Sequence, residues 1–473
     1  MYLFEPLRRL IISGIPILSI LLVSLLVICD RVVVDEKTSY RRSKLQSHIK
    51  FEKSDFWKVG DGRISAYTVT DLDGDISPDI CYINSNQGFE VHCIQNLNSA
   101  KFNNEIYIKL NEIENPEGIL SFDFDLDSKN DLLIYSREKA VIYLRSKNND
   151  FKQKNILSGS FFKVSVADYN ADFFSDLLTV DRDGKYLVWF NRGNGDFETS
   201  NFSEEDLNWM YSDAQSIKFD KIKNKPYFLP GRPISALDLN QDGLLDYFIG
   251  GYYFPPKSGE KNKLWLSDLA KDSLVESADE LKIEKCGAVE NVIAADFDLD
   301  SNYEIVAQSG MYDVKDEKFY KTSPCFFTNY ENIFEDIGSS IFDETELKDG
   351  IISLSAVDAN NDGLKDFVWI DRSGRLISKL NKSPIKNNWI GLVFKSKFGS
   401  QVQPLVKAEI FDWKNKRLEY MEFSPLTAAG QGDFRKTISL GPETHATVKI
   451  FYNKNLIKIY TLGANKYHEI KID

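Results

Sequence analysis

Hydrophobic and polar positions divide this chain into three regimes. From Leu10 to Cys29 the sequence reads LIISGIPILSILLVSLLVIC, twenty residues without a charge. From about residue 49 it turns to short alternating runs such as ISAYTVT, FKVSVA and ISLSAV, rich in branched and aromatic residues. Runs of that length and period predict β-strands. A nine-residue stretch rich in acidic residues follows each run, and then a second apolar run: ICYI, LLIYS, LLTV, YFIGG, IVAQ or FVWI. From Asn388 the strand signals continue as WIGLVFKS, LVKAEIFDW, RLEYMEFS, TVKIFY and LIKIYTLG, but the acidic stretches stop.

The nine-residue stretches are the repeat. They are DLDGDISPD, DFDLDSKND, DYNADFFSD, DLNQDGLLD, DFDLDSNYE and DANNDGLKD, starting 52, 45, 70, 58 and 62 residues apart. Further strands such as YLVWFN and KLWLSD follow within each unit. Four strands per unit of this length is the pattern of a propeller blade. The fold class expected is therefore all-β: a six- or seven-bladed β-propeller over residues 49–387, then a small β-sandwich-like domain over 388–473. Six loops imply at least six blades. A seventh is expected where Tyr40–Gly62 meets a strand from the far end of the chain.

Positions 1, 3, 5 and 9 of every loop carry Asp, Asn or Glu. They are Asp71, Asp73, Asp75 and Asp79; Asp123, Asp125, Asp127 and Asp131; Asp168, Asn170, Asp172 and Asp176. The later copies are Asp238, Asn240, Asp242 and Asp246; Asp296, Asp298, Asp300 and Glu304; Asp358, Asn360, Asp362 and Asp366. Like charges this dense repel one another unless a cation neutralises them. Calcium takes six to eight oxygens from carboxylates, amides and backbone carbonyls. A tight loop can aim positions 1, 3 and 5 inward, lend the carbonyl of position 7, and close the shell with position 9. Up to six Ca2+ sites are expected, with all 24 residues as ligands.

Two other readings of the loops are weaker. An EF-hand needs Glu at position 12 between helices, and position 12 here is Tyr82, Ile134, Thr179, Ile249, Ala307 or Trp369. Plain polar turns explain one copy, but not six with the same flanking strands. Position 6 is Gly only in the loops that start at Asp238 and Asp358. Ile76, Ser128, Phe173 or Ser301 stands there otherwise, where a side chain strains the turn.

Charge agrees with cation recruitment. The chain has 71 acidic and 58 basic side chains, a net charge of −13, and 21 of the acids sit at the loop positions. Six dications would bring the total to about −1. Such acidity excludes nucleic acid as a partner. The apolar segment 10–29 is long enough to span a bilayer, and Arg8 and Arg9 place residues 1–9 in the cytoplasm. Arg31, Arg41, Arg42 and Lys44 lie beyond it and blunt that rule. A cleaved signal peptide or a lipid-bearing Cys29 is the alternative to a retained anchor. Each puts a linker at 30–48 and the bulk of the chain outside the cytoplasm. Cys81, Cys93, Cys286 and Cys325 are even in number, as disulfides in an oxidising compartment would be or as unpaired core thiols. Cys81 and Cys93 flank SNQG and can face each other across a hairpin.

At these residues a family comes into view. The D-x-[DN]-x-D-x-x-x-[DE] loop between strands resembles the FG-GAP and VCBS repeats of integrin-α-type propellers. YLVWFNRGNGDF matches their strand followed by an N-x-G-x-G-x-F turn, and FFTNYENIF is a fainter copy. The resemblance runs from Ile49 to Pro384 and implies calcium in the loops. NWIGLVF, KAEIF and ISLG before TVKIFY resemble the ASPIC/UnbV domain that follows such propellers. An unrelated β-sandwich is the alternative for that part.

No catalytic motif is present. His48, His92, His445 and His468 form no metal-binding pattern, and there is no nucleophile elbow, Walker loop or dinucleotide fingerprint. Tyr252, Tyr253 and Phe254 could line a binding face, and Asn201 and Asn381 stand in N-x-S contexts. The function expected is recognition or adhesion by a membrane-anchored, extracytoplasmic, calcium-binding propeller with a protein or glycan ligand. The alternative is an extracytoplasmic enzyme on the same scaffold, acting on polysaccharide or a small substrate.

Overall fold

The computed structural model describes residues 49–472 except 54, 59–63, 86–87, 98–101, 147–149, 162, 168–171, 173, 181–185, 202–233, 238, 240–245, 250–261, 269–272, 282, 284–285, 287, 314–317, 322, 331–332, 372, 397–405, 423–425, 428–432 and 453–454. Residues 49–473 form one compact unit. The expected membrane segment 10–29 and the aromatic run at Tyr252 lie outside the described residues. Among those residues no helix is long and apolar enough to cross a membrane.

The chain is all-β, and six sheets repeat one antiparallel plan. The first is Ile64–Thr70, Asp79–Asn84, Glu90–Asn96 and Phe102–Lys109. The second is Gly118–Phe122, Asp131–Tyr135, Lys139–Arg145 and Phe151–Ser158. The third is Lys163–Ala167, Asp176–Val180, Tyr186–Asn191 and Phe197–Asn201, with Leu426–Thr427 added beside its first strand. The fourth is Ile234–Leu237, Asp246–Ile249, Lys263–Asp268 and Ser273–Glu276. The fifth is Ala288–Ala295, Glu304–Asp313, Cys325–Tyr330 and Ile333–Asp336, with Lys318–Lys321 paired to its second strand.

The sixth sheet joins distant parts of the chain. Ile351–Val357, Asp366–Asp371 and Arg375–Lys379 are completed by Asp55–Lys58, with Trp57 opposite Leu376. The two ends thus meet as the sequence suggests, but the early strand finishes the sixth sheet and does not found a seventh.

Packing explains the all-apolar second strands. DLLIY of the second sheet and DFVWID of the sixth are buried at every residue, because both faces of each sheet are covered. One core lies between the first and second sheets (Cys81, Ile83, Ile119, Leu132), and another between the second and third (Leu120, Leu133, Val166, Trp189). The first sheet also packs on the sixth (Tyr67, Tyr82, Val368, Ile370), the sixth on the fifth (Phe367, Trp369, Phe297, Phe326), and the fifth on the fourth (Ile305, Ala307, Phe248, Leu264). Cys81 and Cys93 sit opposite each other in the first sheet and form a disulfide, and Cys286 pairs with Cys325.

The C-terminal module has two sheets around one core. Asn388–Ser396 lies between Lys436–Gly441 and Lys466–Ile472. The other sheet runs Arg417–Glu422, Val406–Phe411, His445–Tyr452, Asn455–Gly463. VKAEIF alternates buried and half-buried residues, so Val406, Ala408 and Ile410 meet Ile390, Leu392 and Ile470 inside.

The core between the fifth and sixth sheets offers a direct test. Phe367 is fully buried and contacts the rings of Phe51, Phe297, Phe326 and Phe342. Phe367→Ala is expected to cost about 3–5 kcal/mol in urea unfolding, and a loss under about 1 kcal/mol would contradict this packing.

Candidate metal centre

In all six sheets the acidic loop joins the first strand to the second, and position 9 is the first residue of the second strand. Four loops are described throughout: those starting at Asp71, Asp123, Asp296 and Asp358. Of the third, Asp172 and Asp176 are described, but Asp168 and Asn170 are not. Of the fourth, Asp246 is described, but Asp238, Asn240 and Asp242 are not.

Each described loop is wound about its own carboxylates. The position-1 carboxylate accepts backbone N–H groups from the far side of the turn. Asp123 takes those of Asp127 (3.1 Å) and Ser128 (2.9 Å), Asp296 those of Asp300 (3.0 Å) and Ser301 (2.9 Å). Asp71 takes those of Gly74 and Ile76, and Asp358 those of Asp362 and Gly363. This winding drives positions 4 and 6 into the left-handed region. Gly74 and Ile76, Leu126 and Ser128, Leu299 and Ser301, and Asn361 and Gly363 have φ between 57° and 94°. The strain expected at position 6 is present, and position 4 shares it. Non-glycine residues there cost of order 1–3 kcal/mol each, with branched Ile76 the most unusual.

Among the described residues, position 9 joins a carboxylate cluster only at Asp79, and in every sheet it has a structural role. Its carboxylate ties the loop to the end of the third strand. Asp79 accepts the N–H of Leu72 (2.6 Å) and of Asn96 (2.7 Å), Asp131 those of Phe124 (2.7 Å) and Arg145 (2.8 Å). Asp366 accepts those of Ala359 (2.9 Å) and Asn381 (2.7 Å). Asp176 takes the N–H of Asn191, Asp246 that of Leu239, and Glu304 that of Phe297.

The third-strand residue then braces the neighbouring sheet. The Asn96 amide donates to the carbonyl of Ala359 in the sixth loop (2.8 Å). Asn191 donates to Phe124 in the second loop (3.0 Å), and Asn381 to Phe297 in the fifth (2.7 Å). Asn381 is fully buried in this role, which leaves its N-x-S context no room for a glycan. Arg145 takes the same register in the second sheet, facing Asp79, Asp73 and Asp71 electrostatically. The sequence held a signal for these braces: an Asn stands at or just past the end of the third strand at Asn96, Asn191 and Asn381.

Three loops bring carboxylate oxygens within 4.8 Å of one another: Asp71, Asp73 and Asp79; Asp123, Asp125 and Asp127; Asp296, Asp298 and Asp300. Burial first, and then the neighbouring carboxylates, push Asp123 up to about 7 and Asp298 to about 7. Burial likewise lifts Asp71 to about 6, Asp79 to about 8 and Asp131 to about 8, and raises Asp296 and Glu304 well above their usual range. Converging, half-buried oxygens whose charge nothing nearby fully offsets are a donor set fitted to a hard dication.

The sixth loop is different. The carboxylates of Asp358, Asp362 and Asp366 do not converge in this way, position 3 is the neutral Asn360, and side chains of the C-terminal module meet the loop. The Tyr467 hydroxyl donates to Asp358 Oδ2 (2.6 Å). The fully buried Arg435 donates to the Asp358 carbonyl, to Asn361 Oδ1 and to Asp433 (2.9 Å), and its guanidinium lies 4.4 Å from the Tyr467 ring centre. Lys365 Nζ, at position 8, donates to Asp433 Oδ2 (2.8 Å), which also accepts the N–H of Asp358 (3.0 Å). Trp389 lies against Gly363, where a Cβ would come within 2.3 Å of the indole. Nothing in the spacing of the loops foretold Asp433, Arg435 and Tyr467, which lie 68 to 109 residues from their contacts.

No family model matches the chain, and no curated protein matches it. Among solved structures it is similar to an Agrocybe aegerita lectin described as recognising non-reducing terminal N-acetylglucosamine. The identity is 12%, the TM-score 0.36, and 68% of this chain and 88% of that one are covered. It is also similar to BBS1N, solved in complex with ARL6DN, at 10% identity and a TM-score of 0.38 over 72% of this chain and 98% of that one. Likenesses this distant carry no argument about what the chain binds.

The Asp433 network gives a signed pH dependence. Burial would raise the Asp433 carboxyl, but Arg435 and Lys365 override it and hold the group well below the usual carboxylate range. A depressed carboxyl adds stability above its unfolded value of about 3.9, and that stability fades as pH falls toward the folded value. Asp433→Asn leaves two buried cations uncompensated and is expected to cost about 3–5 kcal/mol at neutral pH. Urea melts should show the gap from wild type narrowing as pH drops below about 4, and a pH-independent gap would contradict this assignment.

Proposed function

We propose that the six sheets close into a six-bladed β-propeller of the FG-GAP/VCBS type, anchored in a membrane through residues 10–29 and exposed outside the cytoplasm. Calcium fills the first, second and fifth loops and stiffens a ring whose other loops recognise a protein or glycan. The C-terminal module is an ASPIC/UnbV-like domain seated on the sixth loop. The observation that carries this reading is the convergence of three carboxylates in each of three equivalent loops.

Support comes from how the ring is built. Five cores join six sheets in the order third, second, first, sixth, fifth, fourth. The strand Asp55–Lys58, ahead of the first sheet, completes the sixth sheet, as a closing ring needs. A dication in a loop would offset the burial and the repulsion that lift its acids and would hold positions 4 and 6 in their strained conformation. In the sixth loop Arg435 and Lys365 supply positive charge from the protein, so that loop needs no metal. Two disulfides suit an oxidising compartment. No constellation of nucleophile and base stands among the motifs, so recognition is favoured over catalysis.

The test uses residues 49–473 purified in calcium. Chelation with EDTA should lower the melting temperature by several degrees, calcium should restore it, and metal analysis should find calcium in the protein. Asp123→Asn with Asp125→Asn should remove one calcium, whereas Asp362→Asn should leave the metal content unchanged. A melting curve indifferent to EDTA in a protein free of calcium would overturn the reading. Capture of a protein or glycan that EDTA releases would support the recognition role.

A further inference from the structure

The C-terminal module carries a charge opposite to that of the chain it belongs to. Residues 388–473 hold 13 Lys and Arg against 8 Asp and Glu, a net +5, which leaves −18 for the rest of a −13 chain. Arg435 is inside and is paired with Asp433, so the two add nothing to the surface charge. On the outward face of the sheet Arg417–Glu422, Val406–Phe411, His445–Tyr452, Asn455–Gly463 stand Lys407, Arg417 and Lys449 with Glu409, and the turn beside them adds Lys414 and Lys416 to Asp412.

That sheet also exposes apolar side chains. Trp413 is 73% exposed, Ile459 54% and Leu456 51%, three of the seven large apolar side chains exposed among the described residues. Register places them among cations. Lys449 stands between Glu409 and Ile459, and Phe451 between Lys407 and Leu456. Phe411 lies between Arg417 and Thr447. Trp413 sits in the turn from Phe411 to Arg417, where the Asp412 carboxylate ties back the N–H groups of Lys414 (2.8 Å) and Lys416 (2.7 Å). The turn is built around Asp412, and no apolar neighbour is recruited to cover the indole.

The cations here lean on rings. Lys449 Nζ is 4.1 Å from the Phe411 ring centre and Lys414 Nζ 4.9 Å from that of Trp413. A cation over an aromatic face keeps its full charge for an outside anion. Basic side chains, an indole at a turn tip and branched aliphatic residues beside it are the ingredients of an interfacial membrane contact.

We infer that this outer face rests on anionic phospholipid. The opposite sign of its charge and its aliphatic character select the occupant. A sugar is held by stacking on rings and by directional hydrogen bonds, to which Leu456 and Ile459 contribute nothing. The inference fits the proposed anchor: an extended linker of residues 30–48 reaches at most roughly 70 Å, so a tethered module stays within range of the bilayer. It does not depend on the anchor, because the face lies wholly within residues 49–473, a compact unit by itself.

The test is flotation of residues 49–473 with phosphatidylcholine vesicles, with and without phosphatidylglycerol. Lacking the anchor, this fragment can bind only through its surface. Vesicles with phosphatidylglycerol should carry it upward, less so at high salt, and neutral vesicles should not. Each cation removed, in Lys414→Ser, Lys416→Ser and Lys449→Ser, should weaken partitioning roughly fivefold. Trp413→Ser should abolish the blue shift of tryptophan emission on vesicles, and Tyr107→Ser, on a distant sheet, should change neither readout. Flotation that is absent, or that survives all four module substitutions, would overturn the inference. Trp413-dependent retention on a soluble sulfated polysaccharide, with no flotation, would assign the face to a glycan instead. Loss of the full chain from the membrane fraction would refute the anchor and leave this result standing.

Discussion

Burial of like charges is the constraint around which this protein is organised. In the three clustered loops, carboxylates that would separate in water are drawn together and partly enclosed. Backbone N–H groups satisfy the first and ninth positions, and that wiring gives each loop its shape. It does not remove the charge, as the raised carboxyls at Asp79, Asp123 and Asp131 show. A bound dication would supply the missing term. The same wiring passes tension between sheets, because the residue that caps position 9 is the one whose amide reaches the next loop.

The sixth loop shows what the repeat becomes when a protein cation enters it. Arg435, Asp433 and Lys365 form a buried, fully paired group, and Tyr467 and Trp389 close over it. Such a group is worth little as an isolated ion pair. Its value lies in geometry, since it fits one docking of the C-terminal module and penalises others. A turn that resembles the other loops in sequence has thereby become the seat of the C-terminal module.

Much of this was legible in the sequence. Strand pairs were readable because apolar residues alternate with period 2, and the loops because four acidic positions recur between those pairs. The junction of Tyr40–Gly62 with the far end was foreseen, but its place as the last strand of the sixth sheet was not, since one short strand looks the same in either role. Position 4 escaped notice because Leu126 and Leu299 disguise a left-handed site that glycine usually marks. The Asn braces were within reach, as Asn96, Asn191 and Asn381 each follow position 9 by 15 to 17 residues. The partners of the sixth loop were out of reach, because a contact between single residues so far apart leaves no periodic trace.

The most direct measurement is anomalous diffraction from crystals of residues 49–473 soaked in a lanthanide that substitutes for calcium. Strong peaks are predicted among the carboxylates of Asp71, Asp123 and Asp296 and their loop partners, with none between Asp358 and Arg435. Loops without peaks, their acidic side chains turned apart into solvent, would contradict the account at its root.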